Sequence, residues 1–324
     1  MRDEHLVHGY GPFHFLLIPG MVPDGPETFL RQLPLLRCFG SATVFTYPYD
    51  RFDLDETIAD LRAALDAAVA AGKQPVLVGV SVGGGLCLEL LRRARDAGET
   101  LPLAAILLMS PLTCTADLAP MLGRMIDGIS GESSTHGNQE QAVERGRTLF
   151  RTLATRSAPP PSNGGWRSLM ALLTPQGFAE LGERRLRERI DRTLASISPQ
   201  GAIQRVMAVR QLPGLERGRP RWPLHQAPTL ILWGSKERHT LDMDGPGTGV
   251  LCRPDLASRH FPDCEVHWVY GANGDEVPHA SLLKHAPAFN RHLRLFLGRH
   301  ARTANDWRHL LPAFLVPRRP LIPA

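Results

Sequence analysis

The sequence predicts an α/β protein: a mostly parallel sheet of about six strands, helices on both faces, and one large helical insertion. Three observations predict it. Short, continuously apolar runs alternate with segments of helical periodicity, the pattern of parallel strands covered on both sides. The alternation stops near Ser110 and resumes at Pro228, a gap of about 110 residues that is too long for a connection. The 324 residues are 43% hydrophobic and 21% charged, enough for a sizeable core and unlike a disordered or fibrous chain.

The elements follow in order. Phe13 to Pro19 reads as a buried strand that stops at Gly20. Pro26 to Phe39 has helical spacing through Phe29, Leu33 and Leu36. Ala42 to Tyr47 is a second strand, ended by Pro48. Asp53 caps a helix to about Ala71, with Ile58, Leu61, Leu65 and Val69 on its apolar side. Pro75 to Val80 is a third strand, Gly83 to Ala97 a helix and Ala104 to Met109 a fourth strand. After the insertion come strands at Pro228 to Gly234 and Glu265 to Tyr270, then a helix from Ala280 to Leu297. The expected division is a core of residues 1–114 and 227–299, an insertion of 115–226 and a tail of 300–324. The Ser157 to Gly165 stretch reads as a loop.

Charge and cysteine usage narrow the function classes. The net charge is +5, and of 37 basic residues only Lys73, Lys236 and Lys284 are lysine. Between Asp117 and Arg221 there are 16 arginines against 10 acids. The excess lies on the insertion, but aromatics are sparse there and Glu188 and Asp191 break the densest run. A solvated helix face explains it better than a nucleic-acid surface. No apolar run reaches the roughly 18 residues of a membrane span, and Met1 to His5 lacks signal-peptide order. Five widely spaced cysteines without a CxxC indicate reduced thiols. Together these place the expected protein in the cytoplasm. Cys252, His260, Cys264 and His267 are spaced irregularly and fit no common zinc site, so neither metal nor cofactor is expected.

One motif carries chemistry. The third strand runs into Gly79-Val80-Ser81-Val82-Gly83, and a helix opens at once. This is G-x-S-x-G in the strand–turn–helix context that gives the pattern meaning. Small residues two before and two after the serine let backbone pass closely. The hydroxyl then projects at the carboxyl ends of the strands, where the helix N-terminus offers unpaired amides to a developing oxyanion. The neighbouring Gly83-Gly84-Gly85 matches neither a P-loop nor a dinucleotide fingerprint.

The chain here resembles the α/β-hydrolase superfamily, from about Phe13 to Leu297 outside the insertion. Phe13 to Met21 looks like the family's strand and oxyanion loop, Gly79 to Gly83 like its nucleophile elbow. Pro228 to Glu237, ending in Trp-Gly-x-x-acid, looks like its late acid-bearing strand. Pro278-His279 and the following helix look like its histidine loop. The order nucleophile, acid, histidine also matches. The resemblance implies Ser81 as nucleophile, His279 as general base (with His285 as its competitor) and Glu237 as the acid. Asp242 or Asp244 are alternative acids, since the family more often has Asp; Asp117 is a more remote one. It also implies an oxyanion hole from the backbone amides of Met21 and Val82, supported by Gly20. Pro19 stands where relatives often have His.

In this family an insertion after the fourth strand is a cap over the site. Met121, Leu122, Met125, Ile126, Leu149, Phe150, Trp166, Leu169, Met170, Leu172 and Leu173 are at helix-like spacing and suit its core. The implied function is a serine hydrolase for a small-molecule carboxylic ester or thioester. A C–C bond hydrolase or an acyltransferase would use the same triad, whereas epoxide hydrolases and haloalkane dehalogenases need aspartate in place of Ser81. A catalytically silent binding protein of the same fold is the alternative from another class. The tail from His300 carries Trp307, Leu310, Leu311, Phe314 and Leu315, a surface for the body or for a second subunit. A homo-oligomer through the cap or this tail stays open.

Overall fold

In the computed structural model, the described residues are 3–22, 25–130, 141, 143–148, 188–215 and 223–301. They contain a seven-stranded sheet: β1 (Asp3–Val7), β2 (Phe13–Ile18), β3 (Gly40–Thr46), β4 (Gln74–Val80), β5 (Ala105–Met109), β6 (Thr229–Gly234) and β7 (Cys264–Val269). The spatial order is β1-β3-β2-β4-β5-β6-β7. All neighbours are parallel except β1, which runs antiparallel to β3 with His5 opposite Val44. The count therefore exceeds the expected six by β1. Its sequence, Asp-Glu-His-Leu-Val, has no apolar run because it forms an edge, where charge discourages further pairing.

The central strands are buried along their length, since helices cover both faces. Leu16, Ile18 and Leu77 face one core with α3 (Leu54–Ala70) and α4 (Val82–Asp96). Phe13, Phe15, Leu17, Val76, Val78 and Val80 face the other, with α2 (Leu33–Leu36) and α9 (Ala286–His300). The alternation of neighbours between two cores is the period-2 pleat with both sides apolar. Asp53 caps α3 by accepting from the Glu56 N–H at 2.8 Å.

Two expected helices are shorter. Pro26 to Phe39 holds only α1 (Gly25–Thr28) and α2. Pro34 has no N–H to give the Leu30 carbonyl, so one helix cannot run through. The closing helix begins at Ala286 rather than Ala280, because Ala280 has a positive φ of 48°. His285 precedes that helix at its N-cap position and is not inside it; Pro287 sits in the first turn, where a missing N–H costs nothing.

β5 and β6 are sheet neighbours, with residues 110–228 between them. Described there are α5 (Pro120–Ser130), helical residues 143–148 and 188–196, and α6 (Pro199–Gln211). Ile126 and Ile129 of α5 bury a small core with Val143 and Val206. Met125 packs against it and Leu122 is buried, while Met121 is exposed. Leu149, Phe150, Trp166, Leu169, Met170, Leu172 and Leu173, the 157–165 loop and the tail beyond residue 301 lie outside the described residues. Two short helices, α7 (Thr248–Leu251) and α8 (Pro254–His260), precede β7. Among the described residues no helix is long and apolar enough to cross a membrane.

Candidate active site

Ser81 sits between β4 and α4 with φ 52° and ψ −119°, a conformation that L-residues rarely adopt. Its surroundings hold it there. Its N–H donates to the Met109 carbonyl at 3.0 Å, and its own carbonyl accepts from Leu112 at 2.9 Å. Two glycines make the crossing feasible. A Cβ at Gly79 would lie 2.6 Å from the Gly83 carbonyl oxygen, and one at Gly83 would lie 2.2 Å from that of Ile18. Both positions need hydrogen where other residues carry a side chain.

The Ser81 hydroxyl lies 2.9 Å from His279 Nε2. The opposite ring nitrogen, Nδ1, lies 2.6 Å from Glu237 Oε2. Glu237 is fully buried on the 3₁₀ turn after β6. Its second oxygen accepts from the Gly234 N–H at 2.9 Å and from the Ser110 hydroxyl. With both oxygens engaged, the carboxylate can turn neither plane nor edge without losing a bond. Because a carboxylate oxygen can only accept, the Nδ1–H tautomer is the one that satisfies this geometry, and it leaves Nε2 to accept from Ser81.

The loop bearing His279 is tied down on each side. Lys236 N–H donates to the Val277 carbonyl at 2.9 Å, and Val277 N–H to the Ser235 hydroxyl at 2.8 Å. The Ala280 N–H donates to Ser110 Oγ at 3.1 Å. Ser110 thus bridges the carboxylate and the histidine loop from the end of β5. It is fully buried with φ 48°. Sequence reading missed it, as its two partners are 127 and 170 residues away. The available signal was a small polar residue between an apolar strand and Pro111.

The alternatives are placed elsewhere. Asp242 is exposed and accepts from the Asp244 N–H at 3.0 Å. Asp244 is exposed and pairs with Arg253 at 2.7 Å. His285 Nδ1 meets the Ser281 hydroxyl at 2.9 Å, and burial holds its pKa below the ordinary value. Asp117 is fully buried, with its oxygens on Thr113, Gly247 and Thr248.

The Gly20–Met21 loop passes beside Ser81: a Cβ at Gly20 would lie 3.3 Å from Ser81 Cβ and 3.9 Å from its Oγ. Val82 is the first residue of α4, so its N–H has no partner within the helix. The two amides expected as oxyanion donors therefore belong to segments that flank the serine. Among the described residues no three or more His, Cys, Asp or Glu side chains group as metal ligands. Of the irregular cysteine and histidine set, His267 instead pairs with Glu265 at 3.1 Å, and burial raises the Cys264 thiol to about 11.

Comparisons with known proteins agree with this architecture. Solved structures of similar fold include a thermophilic esterase from Thermogutta terrifontis, at 15% identity and TM-score 0.57, covering 92% of this chain and 93% of that one. MenH from S. aureus gives 15% and 0.59, covering 93% and 99%. A meta-cleavage product hydrolase from Pseudomonas fluorescens IP01 gives 15% and 0.51, covering 92% and 94%. At such identities the likeness shows the fold alone. No functionally curated protein matches significantly. The family model described as Alpha/beta hydrolase family matches residues 6–322, nearly the whole length, and so the chain belongs to the alpha/beta hydrolase family.

Proposed function

We propose that the protein is a serine hydrolase of carboxylic esters or thioesters, acting through an acyl-enzyme on Ser81. The observation that carries this reading is the unbroken hydrogen-bonded series from the Ser81 hydroxyl through His279 to the buried Glu237, at 2.9 and 2.6 Å. His279 Nε2 takes the Ser81 proton as Oγ attacks the acyl carbon. The Met21 and Val82 amides receive the charge that moves onto the carbonyl oxygen. The tetrahedral species collapses, and the alcohol or thiol leaves with the proton from His279. Water, deprotonated by the same nitrogen, then attacks the acyl-enzyme and releases the carboxylic acid and free Ser81. Glu237 keeps the ring's orientation and stabilises the imidazolium in both halves.

Residues 115–226 serve as the cap in this reading. An acyl-enzyme also suits C–C cleavage or acyl transfer, which differ in what reaches Ser81 rather than in the triad. The test is labelling with a fluorophosphonate, read by intact mass and peptide mapping, followed by a panel of esters and thioesters. Wild type is expected to gain one adduct on Ser81, with Ser81→Ala and His279→Ala gaining none. A folded wild type that stays unlabelled and turns over no member of the panel sinks the reading and favours a binding role.

A further inference from the structure

An arginine of the inserted segment reaches the oxyanion loop. Arg205 lies on α6 and is only 3% exposed. Its Nη1 donates to the Met21 carbonyl at 3.0 Å. Its Nη2 donates to the Pro48 carbonyl at 3.0 Å and to that of Tyr47 at 3.4 Å. The guanidinium also sits over the Tyr47 ring, 5.6 Å from its centroid. The Tyr47 hydroxyl in turn donates to the Pro19 carbonyl at 2.8 Å. One stacked pair, arginine on tyrosine, therefore holds the carbonyls on both sides of Gly20.

Burying a guanidinium is costly, and here its two terminal nitrogens offset part of that cost on three carbonyls. Arg205 is not needed merely to dock its helix, because α6 has other attachments. The Ser198 N–H donates to the Tyr49 carbonyl at 2.8 Å, and the Phe52 N–H donates to Gln204 Oε1 at 2.9 Å. Gly201 packs so closely on Tyr49 that a Cβ would lie 2.2 Å from its carbonyl oxygen. What Arg205 adds is a grip on Met21 itself, whose N–H is an expected oxyanion donor. It also brings a fixed positive charge to the loop that carries that donor.

We infer that Arg205 is a positioning residue that sets the oxyanion loop, so that the inserted segment contributes one side chain to the catalytic apparatus. The inference rests on the serine-hydrolase reading above and specifies it. Lysine is a poor substitute, since a single ammonium cannot span the three carbonyls as the planar fork does.

The test follows fluorophosphonate inactivation, separated into the limiting rate and the half-saturating concentration, in wild type, Arg205→Lys, Arg205→Met and Gln204→Ala. A displaced oxyanion donor lowers the limiting rate with little change in half-saturation; the expected loss is about 10-fold for lysine and about 100-fold for methionine. The pH profile of inactivation keeps its shape, because the His279–Glu237 pair is untouched. Gln204→Ala removes a docking bond of the same helix; it lowers the melting temperature while leaving the limiting rate within about twofold. Should Arg205→Met misfold, Arg205→Lys against Gln204→Ala still decides. Equal losses in those two variants, or a wild-type rate in a folded Arg205 variant, overturn the inference while Ser81 labelling stands. A wild type that is never labelled at Ser81 overturns it together with the reading beneath it.

Discussion

Two carboxylates at the carboxyl edge of the sheet are both fully buried, yet they are held in different ways. Asp117 accepts from scaffold donors: the Thr113 hydroxyl and N–H at 2.5 and 3.3 Å, the N–H groups of Gly247 and Thr248 at 2.8 and 3.1 Å, and the Thr248 hydroxyl at 3.1 Å. It ties the loop after β5 to the start of α7. Glu237 gives one oxygen to the scaffold, through Gly234 and Ser110, and keeps the other for an imidazole. Burial alone therefore does not mark a working acid. On the proposed reading, the mark is a carboxylate oxygen committed to an imidazole, a group that gains and loses a proton near neutral pH.

The largest effect that would break this comparison is on Glu237. Glu237→Gln keeps size and most contacts but removes the charge and allows the wrong tautomer. It is expected to lower kcat/KM on an ester by about 10³- to 10⁴-fold. Asp242→Asn and Asp244→Asn should stay within about twofold, as both face solvent. Appreciable activity in Glu237→Gln alongside a large loss in either aspartate variant would assign the acid elsewhere.

Asp117→Ala should do the opposite. It leaves the amides of Gly247 and Thr248 and the Thr113 hydroxyl without their acceptor. Urea unfolding is expected to show a loss of about 3 kcal/mol, from several buried donors unsatisfied at once. Activity per folded molecule should fall by no more than about threefold. A selective loss of turnover without loss of stability would mean that Asp117 works on the reacting groups after all.

The sequence made some of this legible for physical reasons. Ser81, Glu237 and His279 each sit in a local pattern: a serine between close-packed glycines, an acid just past a buried strand, a histidine after proline. The α/β order was readable because two-sided burial makes the central strands continuously apolar. What was hidden depends on distant partners or on edges. Ser110 looks like any strand-terminal serine until Glu237 and Ala280 fold onto it. Arg205 lies in a helix that also carries the solvent-facing Met207, and its partners Met21, Tyr47 and Pro48, far away in the chain, distinguish it from a surface arginine. β1 was unreadable because an edge strand favours charge over an apolar run. The Phe29, Leu33 and Leu36 spacing correctly marked an inward face, but Pro34 divided the helix.

His14 provides the smallest and most discriminating test, because it is a third buried ionisable group and both its ring nitrogens bond to scaffold hydroxyls. Nδ1 lies 2.8 Å from the Ser41 hydroxyl and Nε2 2.9 Å from that of Thr43. By the reasoning applied to Asp117 it should matter to stability and not to turnover. Burial first, and then the charge of Lys73, hold its pKa below the ordinary 6.5. The unfolded chain therefore binds a proton more readily than the folded one. The stabilising contribution of the neutral ring is complete above pH 6.5 and declines as pH falls below it, by at most about 1.4 kcal/mol per pH unit. Other histidines, among them the buried His225 and the half-buried His292, shift in the same direction, so the whole protein should lose stability on acidification. His14→Gln isolates one share: between about pH 7.5 and about pH 5.5 its unfolding free energy should fall less than that of wild type. Its ester turnover at the upper pH should remain within about twofold of wild type. Identical slopes would show that the ring does not resist protonation in the fold. A large loss of turnover would break the rule that a buried ionisable group bonded only to scaffold is there for the scaffold.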